Sequence, residues 1–383
     1  MASKNGSKNI ILLGLVSFLN DLSSEMIMPI LPMFITALGG SGLIVGLIGG
    51  LRDSISSILK VFAGYWSDRY GKRKIFVSSG YLTSAVFKLF LAFSKIWQHV
   101  LLFSSLERIG KGIRSAPRDA IIADSMPMER GRGFGIHRAM DTLGAIVGSV
   151  IVFLLFWYFA FSFKSIILLA AILSFLSLIP LYFVKERRER PRKINLKISL
   201  KNLPKSVKYF ILISGLFSLS NFSYMFFILR AQEIFSGRLS IAVPIALYIL
   251  FNIFYASFAI PFGRLSDRIG RKKVLIFGYA LFSITSLGFV FFNSLLAFVI
   301  LFALYGIVYA IVDGNQRAYV SDLSSGYLRA TALGTFHTVT GLMALPSGLI
   351  AGFLWQINPT MVFIYGSFVS FVAVIAFYLL GKN

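Results

Sequence analysis

The sequence contains no cysteine among its 383 residues. Disulfides, cysteine zinc sites, iron–sulfur clusters and a cysteine nucleophile are therefore excluded. Charged residues are also scarce: they make up 14% of the chain, against about 25% in an ordinary soluble protein, whereas 57% of the chain is hydrophobic. A water-soluble globule is accordingly disfavoured.

Motifs for catalysis, nucleotide hydrolysis and metal binding are missing from the sequence as well. The three histidines stand far apart, at positions 99, 137 and 337, and no H-E-x-x-H occurs. No G-x-x-x-x-G-K-[ST] is present, which argues against an ATP-driven pump. We predict that the protein is not an enzyme, uses no cofactor and has no metal site. A membrane receptor that transports nothing stays open as an alternative.

What the chain does contain is a succession of long apolar runs, each of about the twenty residues that a transmembrane helix requires. They lack the ten-residue alternation of barrel strands. We predict an all-α integral membrane protein with twelve transmembrane helices. The runs lie near residues 9–38, 43–63, 75–94, 97–118, 135–160, 165–184, 208–231, 241–263, 273–292, 295–316, 329–355 and 361–380.

The net charge of +23 is concentrated in alternate loops, and this pattern predicts the orientation. Under the positive-inside rule, the basic loops and both termini are cytoplasmic, whereas loops such as the one around Lys95 lie outside. The charge therefore needs no nucleic-acid partner. We predict a monomeric, multi-pass protein of the cell membrane in contact with the lipid bilayer. Its expected parts are a six-helix bundle at 1–184, a basic cytoplasmic linker at 185–207 and a second six-helix bundle at 208–383.

An internal repeat relates the two halves. The segment GYWSDRYGKRK at 64–74 recurs as GRLSDRIGRKK at 263–273, an offset of 199 residues, and the same offset carries Arg118 onto Arg317. The twelve helices therefore form two six-helix pseudo-repeats. Transporters use such parallel repeats to rock two bundles about a central site.

The repeated segment, G-x-x-x-D-R-x-G followed by two basic residues, resembles the signature loop of the major facilitator superfamily. LERIGKGIR at 106–114 is similar to the fourth-helix motif of that family through Arg108 and Gly112, although Lys111 replaces the usual glutamine. GAIVGSV at 144–150 resembles the antiporter motif but lacks its proline.

The resemblance covers the whole chain and implies a secondary active transporter. It also implies that the repeated loop latches the cytoplasmic side when the cavity opens outward. The residues to which this gating role carries over are Gly64, Asp68, Arg69, Gly71, Arg73, Gly263, Asp267, Arg268, Gly270 and Arg271.

Ionisable residues within the apolar runs mark the candidate site, because such groups are costly inside a bilayer unless they serve a function. Asp21 and Glu25 are four residues apart, hence on one face of the first helix, and are candidate proton carriers. Lys88 adds positive charge to the same half. The full set predicted for proton coupling or substrate binding is Asp21, Glu25, Arg52, Asp53, Arg108, Lys111, Arg114 and Asp141.

The second half lacks these charges. Asn20 has a counterpart in Asn221, but Asp21 and Glu25 are replaced by Phe222 and Phe226. These aromatic positions, together with the two asparagines, are predicted to line a cavity.

Two transport functions fit the sequence. The first is proton-coupled efflux of a hydrophobic or amphipathic small molecule by alternating access, as in multidrug antiporters. The alternative is uptake or exchange of an anionic metabolite through a basic central cavity. The group that pairs with Arg108 distinguishes the two functions. A carboxylate of the first helix would favour proton-coupled efflux, and a substrate anion would favour transport of an anionic metabolite.

Overall fold

The computed structural model describes residues 4–127, 129–186, 203–324 and 328–380. Most of the predicted basic linker, at 187–202, lies outside these ranges. No described residue belongs to a β-strand, and the predicted all-α class is confirmed.

Fifteen helices make up the described part of the chain. In chain order, α1 to α15 are Lys4–Ile27, Leu31–Ala37, Gly42–Tyr70, Arg73–Ala92, Trp97–Ser125, Arg130–Trp157, Phe163–Leu176, Leu178–Tyr182, Lys205–Ser220, Met225–Gln232, Leu239–Ile269, Arg271–Phe291, Leu295–Leu323, Arg329–Ile357 and Pro359–Leu380.

These helices account for twelve membrane spans. Eleven spans in the described part are long and apolar enough to cross a bilayer. The twelfth is α5, which has the same length as α3, 29 residues, but carries charged residues through its second half. The predicted layout of two six-helix repeats is confirmed, and its least apolar span carries three of the eight residues predicted for proton coupling or substrate binding, Arg108, Lys111 and Arg114.

The first and seventh spans differ from the predicted continuous helices because each is interrupted. A turn at residues 28–30 separates α1 from α2. Pro29 lies in this turn and Pro32 in the first turn of α2, and proline lacks the N–H that a continuing helix needs. In the seventh span, α9 ends at Ser220, and the next residue, Asn221, has a φ of −85° and a ψ of 66°, which are not helical. The break therefore falls at the counterpart of Asn20, where α1 is continuous.

Contacts divide the chain into two compact units. The first unit comprises residues 1–39 and 55–196, and the second comprises residues 40–54 and 197–383. Helix α3 contributes its beginning to the second unit and its remainder to the first.

In the first unit, α1 packs closely against α6. A β-carbon on Gly144 would overlap the carbonyl oxygen of Phe18, and one on Gly148 would overlap that of Leu22. Small residues at this spacing let two membrane helices approach with their backbones nearly in contact. A separate apolar core joins α1, α4, α5 and α8 through Leu13, Val16, Val77, Tyr81, Ile121, Ile122, Leu181 and Val184.

The core of the second unit is aromatic. Phe217 stacks on Tyr279 with ring centroids 3.9 Å apart, and Phe227 stacks on Tyr305 at 4.0 Å. The beginning of α3 packs on α14 in this unit, because glycines on both helices remove the side chains from their contact.

Candidate functional site

Two carboxylates meet in the first unit. Asp21 of α1 and Asp141 of α6 are close enough to interact, in the region where the glycines of α6 bring the two helices together. Asn20 Nδ2 donates to Asp21 Oδ1 over 3.3 Å. Asp141 forms an ion pair with Arg138, one turn earlier on α6, at 3.2 Å.

A polar network that joins four helices lies beside this pair. Ser17 Oγ is 2.8 Å from His137 Nε2 and 3.2 Å from Tyr81 Oη. Arg118 Nη1 donates to the same hydroxyl over 3.2 Å, and its guanidinium pairs with Asp119 at 3.0 Å. Ser17 thus connects α1 with side chains of α4, α5 and α6.

Three of the predicted basic residues are buried among protein partners. Arg114, 2% exposed, donates to Ser84 Oγ over 2.6 Å, and its guanidinium carbon lies 4.4 Å from the ring centroid of Tyr81. Lys88 is buried among oxygen atoms of α1 and α7. Arg108 is 5% exposed. Lys111, by contrast, is exposed.

Arg108 has a carboxylate partner that the sequence analysis missed. Its Nε lies 3.3 Å from Oε2 of Glu107, which is buried, and its Nη2 lies 3.1 Å from Sδ of Met28. The signal was present in the sequence: Glu107 stands at the same depth in the span as Arg108 and incurs the same cost of burial.

The structure does not bring all eight predicted coupling residues into one compact unit. Asp21, Glu25, Arg108, Lys111, Arg114 and Asp141 belong to the first unit, with Glu25 half-buried. Arg52, which is buried, and Asp53, which is exposed, belong to the second.

The first copy of the repeated loop forms a charge cluster at the start of α4. Gly71 adopts a φ of +64°, which permits the turn after α3. Arg73, the first residue of α4, pairs with Asp68 at 2.9 Å and also with Asp124 at the end of α5. Arg69 is exposed and donates to Tyr65 Oη over 3.2 Å.

The second copy repeats this cluster with one residue fewer in the turn. Gly270, with a φ of +97°, alone separates α11 from α12, whereas Gly71 and Lys72 separate α3 from α4. Arg271 begins α12 and pairs with Asp267 at 2.8 Å and with Asp322. Because the turn is shorter, the arginine that begins the following helix recurs after 198 residues rather than 199. Arg268 is exposed.

The aromatic cavity candidates lie in the core of the second unit. The ring of Phe222 is 5.2 Å from that of Phe227 and 5.6 Å from that of Phe363, and Phe226 is 5.4 Å from Trp355. Both predicted residues are essentially inaccessible in this structure. Asn221 directly follows α9, and Asn20 is fully buried in the first unit.

Comparison with known proteins agrees with the all-helical fold and with the repeated loop. A family model for the Major Facilitator Superfamily matches residues 13–252 and 210–383. An uncharacterised MFS-type transporter of Methanocaldococcus jannaschii is 61% identical over 371 residues, which cover 96% of this chain and 93% of that protein.

More distant similarities extend the comparison. Multidrug resistance protein MdtH of Proteus mirabilis is 26% identical over 311 residues, which cover 79% of this chain and 75% of that protein. A solved structure of a variant of the nucleoside transporter NupG matches with a TM-score of 0.84 at 16% identity, covering 98% of this chain and 100% of that chain. The last likeness concerns the fold alone. The apolar spans, the doubled loop and the family match together place the chain in the major facilitator superfamily, as a multi-pass membrane transporter and not an enzyme.

Proposed function

We propose that the protein exports a hydrophobic or amphipathic small molecule in exchange for protons, and that the Asp21–Asp141 pair carries the exchanged proton. The observation behind this proposal is the approach of the two carboxylates within the first unit. An ionised carboxylate only accepts hydrogen bonds, so two of them can bond to each other only when one is protonated. The pair is therefore suited to hold a single proton.

The surroundings of the pair support reversible protonation. Close packing of α1 on α6 fixes the separation of the carboxylates, while Arg138 and the Asn20 amide stabilise the ionised form. A conformational change that altered the spacing of the two helices would release the proton, which is the coupling that an antiporter requires.

The contacts of the basic residues favour an apolar over an anionic substrate. Arg108, Arg114 and Lys88 are buried with protein partners. Their positive charges therefore contact atoms of the first unit rather than a substrate anion. The similarity to a multidrug resistance protein agrees with an apolar or amphipathic substrate.

Transport of an anionic metabolite is the competing proposal. The observation that favours it is the exposed ammonium of Lys111 on the same helix as Arg108. Under this proposal, Lys111→Ala would weaken the binding of an anion, whereas under proton-coupled export it would leave the binding of an uncharged substrate unchanged.

The remaining parts of the proposal concern the membrane. We propose that the protein is a monomer of the cell membrane with both termini in the cytoplasm, and the alternating basic loops support that orientation. The two charge clusters at Arg73 and Arg271 act as cytoplasmic latches that open and close during alternating access.

The test is substrate-driven proton movement in proteoliposomes, measured with a pH-sensitive dye in the lumen and a panel of apolar, cationic and anionic compounds. The wild-type protein should move protons in response to an apolar or amphipathic compound, and Asp21→Asn and Asp141→Asn should abolish that movement. Glu233→Gln is the matched control, because Glu233 is a carboxylate paired with an arginine, Arg230, outside the first unit. Undiminished proton movement in the double variant Asp21→Asn/Asp141→Asn would refute the assignment.

A further inference from the structure

Lys88 lies in a shell of neutral oxygen atoms inside the first unit. The side chain is 1% exposed. Its Nζ is 2.9 Å from Ser23 Oγ, 2.9 Å from Ser24 Oγ, 3.4 Å from the carbonyl oxygen of Asn20 and 3.5 Å from Ser174 Oγ. None of its hydrogen-bond or ion-pair partners in the described part of the chain is a carboxylate. Burial of an ammonium is costly, and the carboxylates of Glu107 and Asp21 act on it without being hydrogen-bonded to it, so the shell provides its direct contacts.

The hydrogen bonds around the shell fix its polarity. Ser23 Oγ donates its proton to the carbonyl oxygen of Ala170 over 2.5 Å, and Ser174 Oγ donates to Asn20 Oδ1 over 3.4 Å. These hydroxyl protons point elsewhere, so the lone pairs of both oxygens are left for Nζ. The carbonyl of Asn20 can only accept. At least three of the four oxygens therefore present negative charge density to the centre of the shell, an arrangement that suits a cation and not a neutral amine.

Hydroxyl and carbonyl oxygens grouped around one point are also the ligands that proteins offer to monovalent metal ions. Backbone carbonyls replace the hydration shell of K⁺ in channels and coordinate Na⁺ in transporters. Divalent ions, by contrast, are usually bound through carboxylates. The Lys88 ammonium is a compact point charge of the same sign as such an ion.

We propose that this shell is a monovalent-cation site whose cation is built into the chain as the ammonium group of Lys88. The tethered charge joins α1, α4 and α7 without any ion from solution. Asn20 links the site to the Asp21–Asp141 pair, since its backbone carbonyl accepts a hydrogen bond from Lys88 and its side-chain amide donates one to Asp21. Wild-type protein is therefore indifferent to Na⁺ and K⁺, and removal of the ammonium makes its stability depend on them.

The experiment measures thermal unfolding of purified protein in detergent with chloride salts of Na⁺, K⁺, NH₄⁺ or N-methyl-D-glucamine at one ionic strength. Lys88→Met retains most of the side-chain volume and removes the charge. Its Tm should be lowered in N-methyl-D-glucamine and raised, saturably and by roughly 5 °C, by at least one small cation, since a ligand that binds only the folded state stabilises it. Wild type should show the same Tm in all four salts. Lys95→Met is the control, because Lys95 is an exposed loop lysine.

Lys88→Gln is the second variant, because its amide fills the space and adds one more oxygen ligand to the shell. Variants with the same Tm in every salt would overturn the proposal, and so would a wild type that Na⁺ or K⁺ specifically stabilises. Failure of both variants to fold even in high Na⁺, K⁺ or NH₄⁺ would also overturn it, since a cation that fits the shell should restore folding. The readout involves neither substrate nor protons, so its outcome is independent of the proposed export function.

Discussion

Gly46 of α3 and Gly348 of α14 pack with their backbones in direct contact. A β-carbon on either residue would overlap the carbonyl oxygen of the other. The same surface continues at Gly50, where a β-carbon would lie 2.6 Å from the carbonyl oxygen of Ala344, and at Gly352, where it would lie 2.7 Å from the α-carbon of Leu43. Glycines spaced by four residues create this contact, and the spacing was visible in the sequence.

Gly348→Ala should therefore separate the beginning of α3 from α14. Because backbone atoms cannot rotate away as a flexible side chain can, we expect a loss of about 1–3 kcal/mol in the free energy of unfolding. Thermal unfolding of the purified protein measures it. Gly314→Ala is the control, since no atom outside its own helix lies within 4 Å of a β-carbon there. Equal Tm values for the two variants would show that the contact of α3 with α14 contributes little.

The two copies of the repeated loop should contribute unequally to transport. The side chain of Asp68 is 35% exposed against 60% for Asp267, and Arg73 is 11% exposed against 23% for Arg271. Less water around the first cluster makes its ion pairs stronger. We expect Asp68→Asn to reduce the initial rate of transport more than Asp267→Asn, at equal amounts of folded protein. Equal or reversed effects would indicate that the loops act only as topological anchors.

The orientation of the chain can be tested with single cysteines, because the sequence has none of its own. Lys72 and Lys95 are both exposed and lie in the turns before and after α4. We expect a membrane-impermeant maleimide to label Lys95→Cys in intact cells and to label Lys72→Cys only after permeabilisation. The opposite labelling would invert the predicted topology.

The sequence was sufficient for the number of spans and for the repeat, because both depend on local patterns of apolar and charged residues. Partners across helices were harder to predict. The meeting of Asp21 with Asp141 depends on the rotation of α6 relative to α1, and the burial of Phe222 depends on the break after α9. Neither is fixed by spacing along one helix. Glu107 was not among the predicted site residues, because the family motif includes Arg108 and not its neighbour, whereas the cost of burial applies to both.

The last prediction concerns the ion pair of Arg108 with Glu107. Arg108→Ala deprives a buried carboxylate of its paired charge, and breaking a buried pair from one side typically costs about 3–5 kcal/mol. We therefore expect Arg108→Ala to lower the Tm strongly. The double variant Glu107→Gln/Arg108→Gln, which removes both charges and retains polar side chains, should recover much of that loss. Thermal unfolding of Glu107→Gln, Arg108→Gln and the double variant completes a double-mutant cycle, which measures how strongly the two charges stabilise each other.

Substrate affinity in the same variants then distinguishes the two proposed functions. If Arg108 acts through its pairing with Glu107, the double variant binds an apolar substrate with unchanged affinity. If Arg108 instead binds a substrate anion, the double variant is stable but has lost charge-assisted hydrogen bonds, typically worth about 1.5–3 kcal/mol, and binds the anion roughly ten- to a hundredfold more weakly. A stable double variant with that selective loss would favour anion transport over proton-coupled export, because stability and binding would then depend on Arg108 separately.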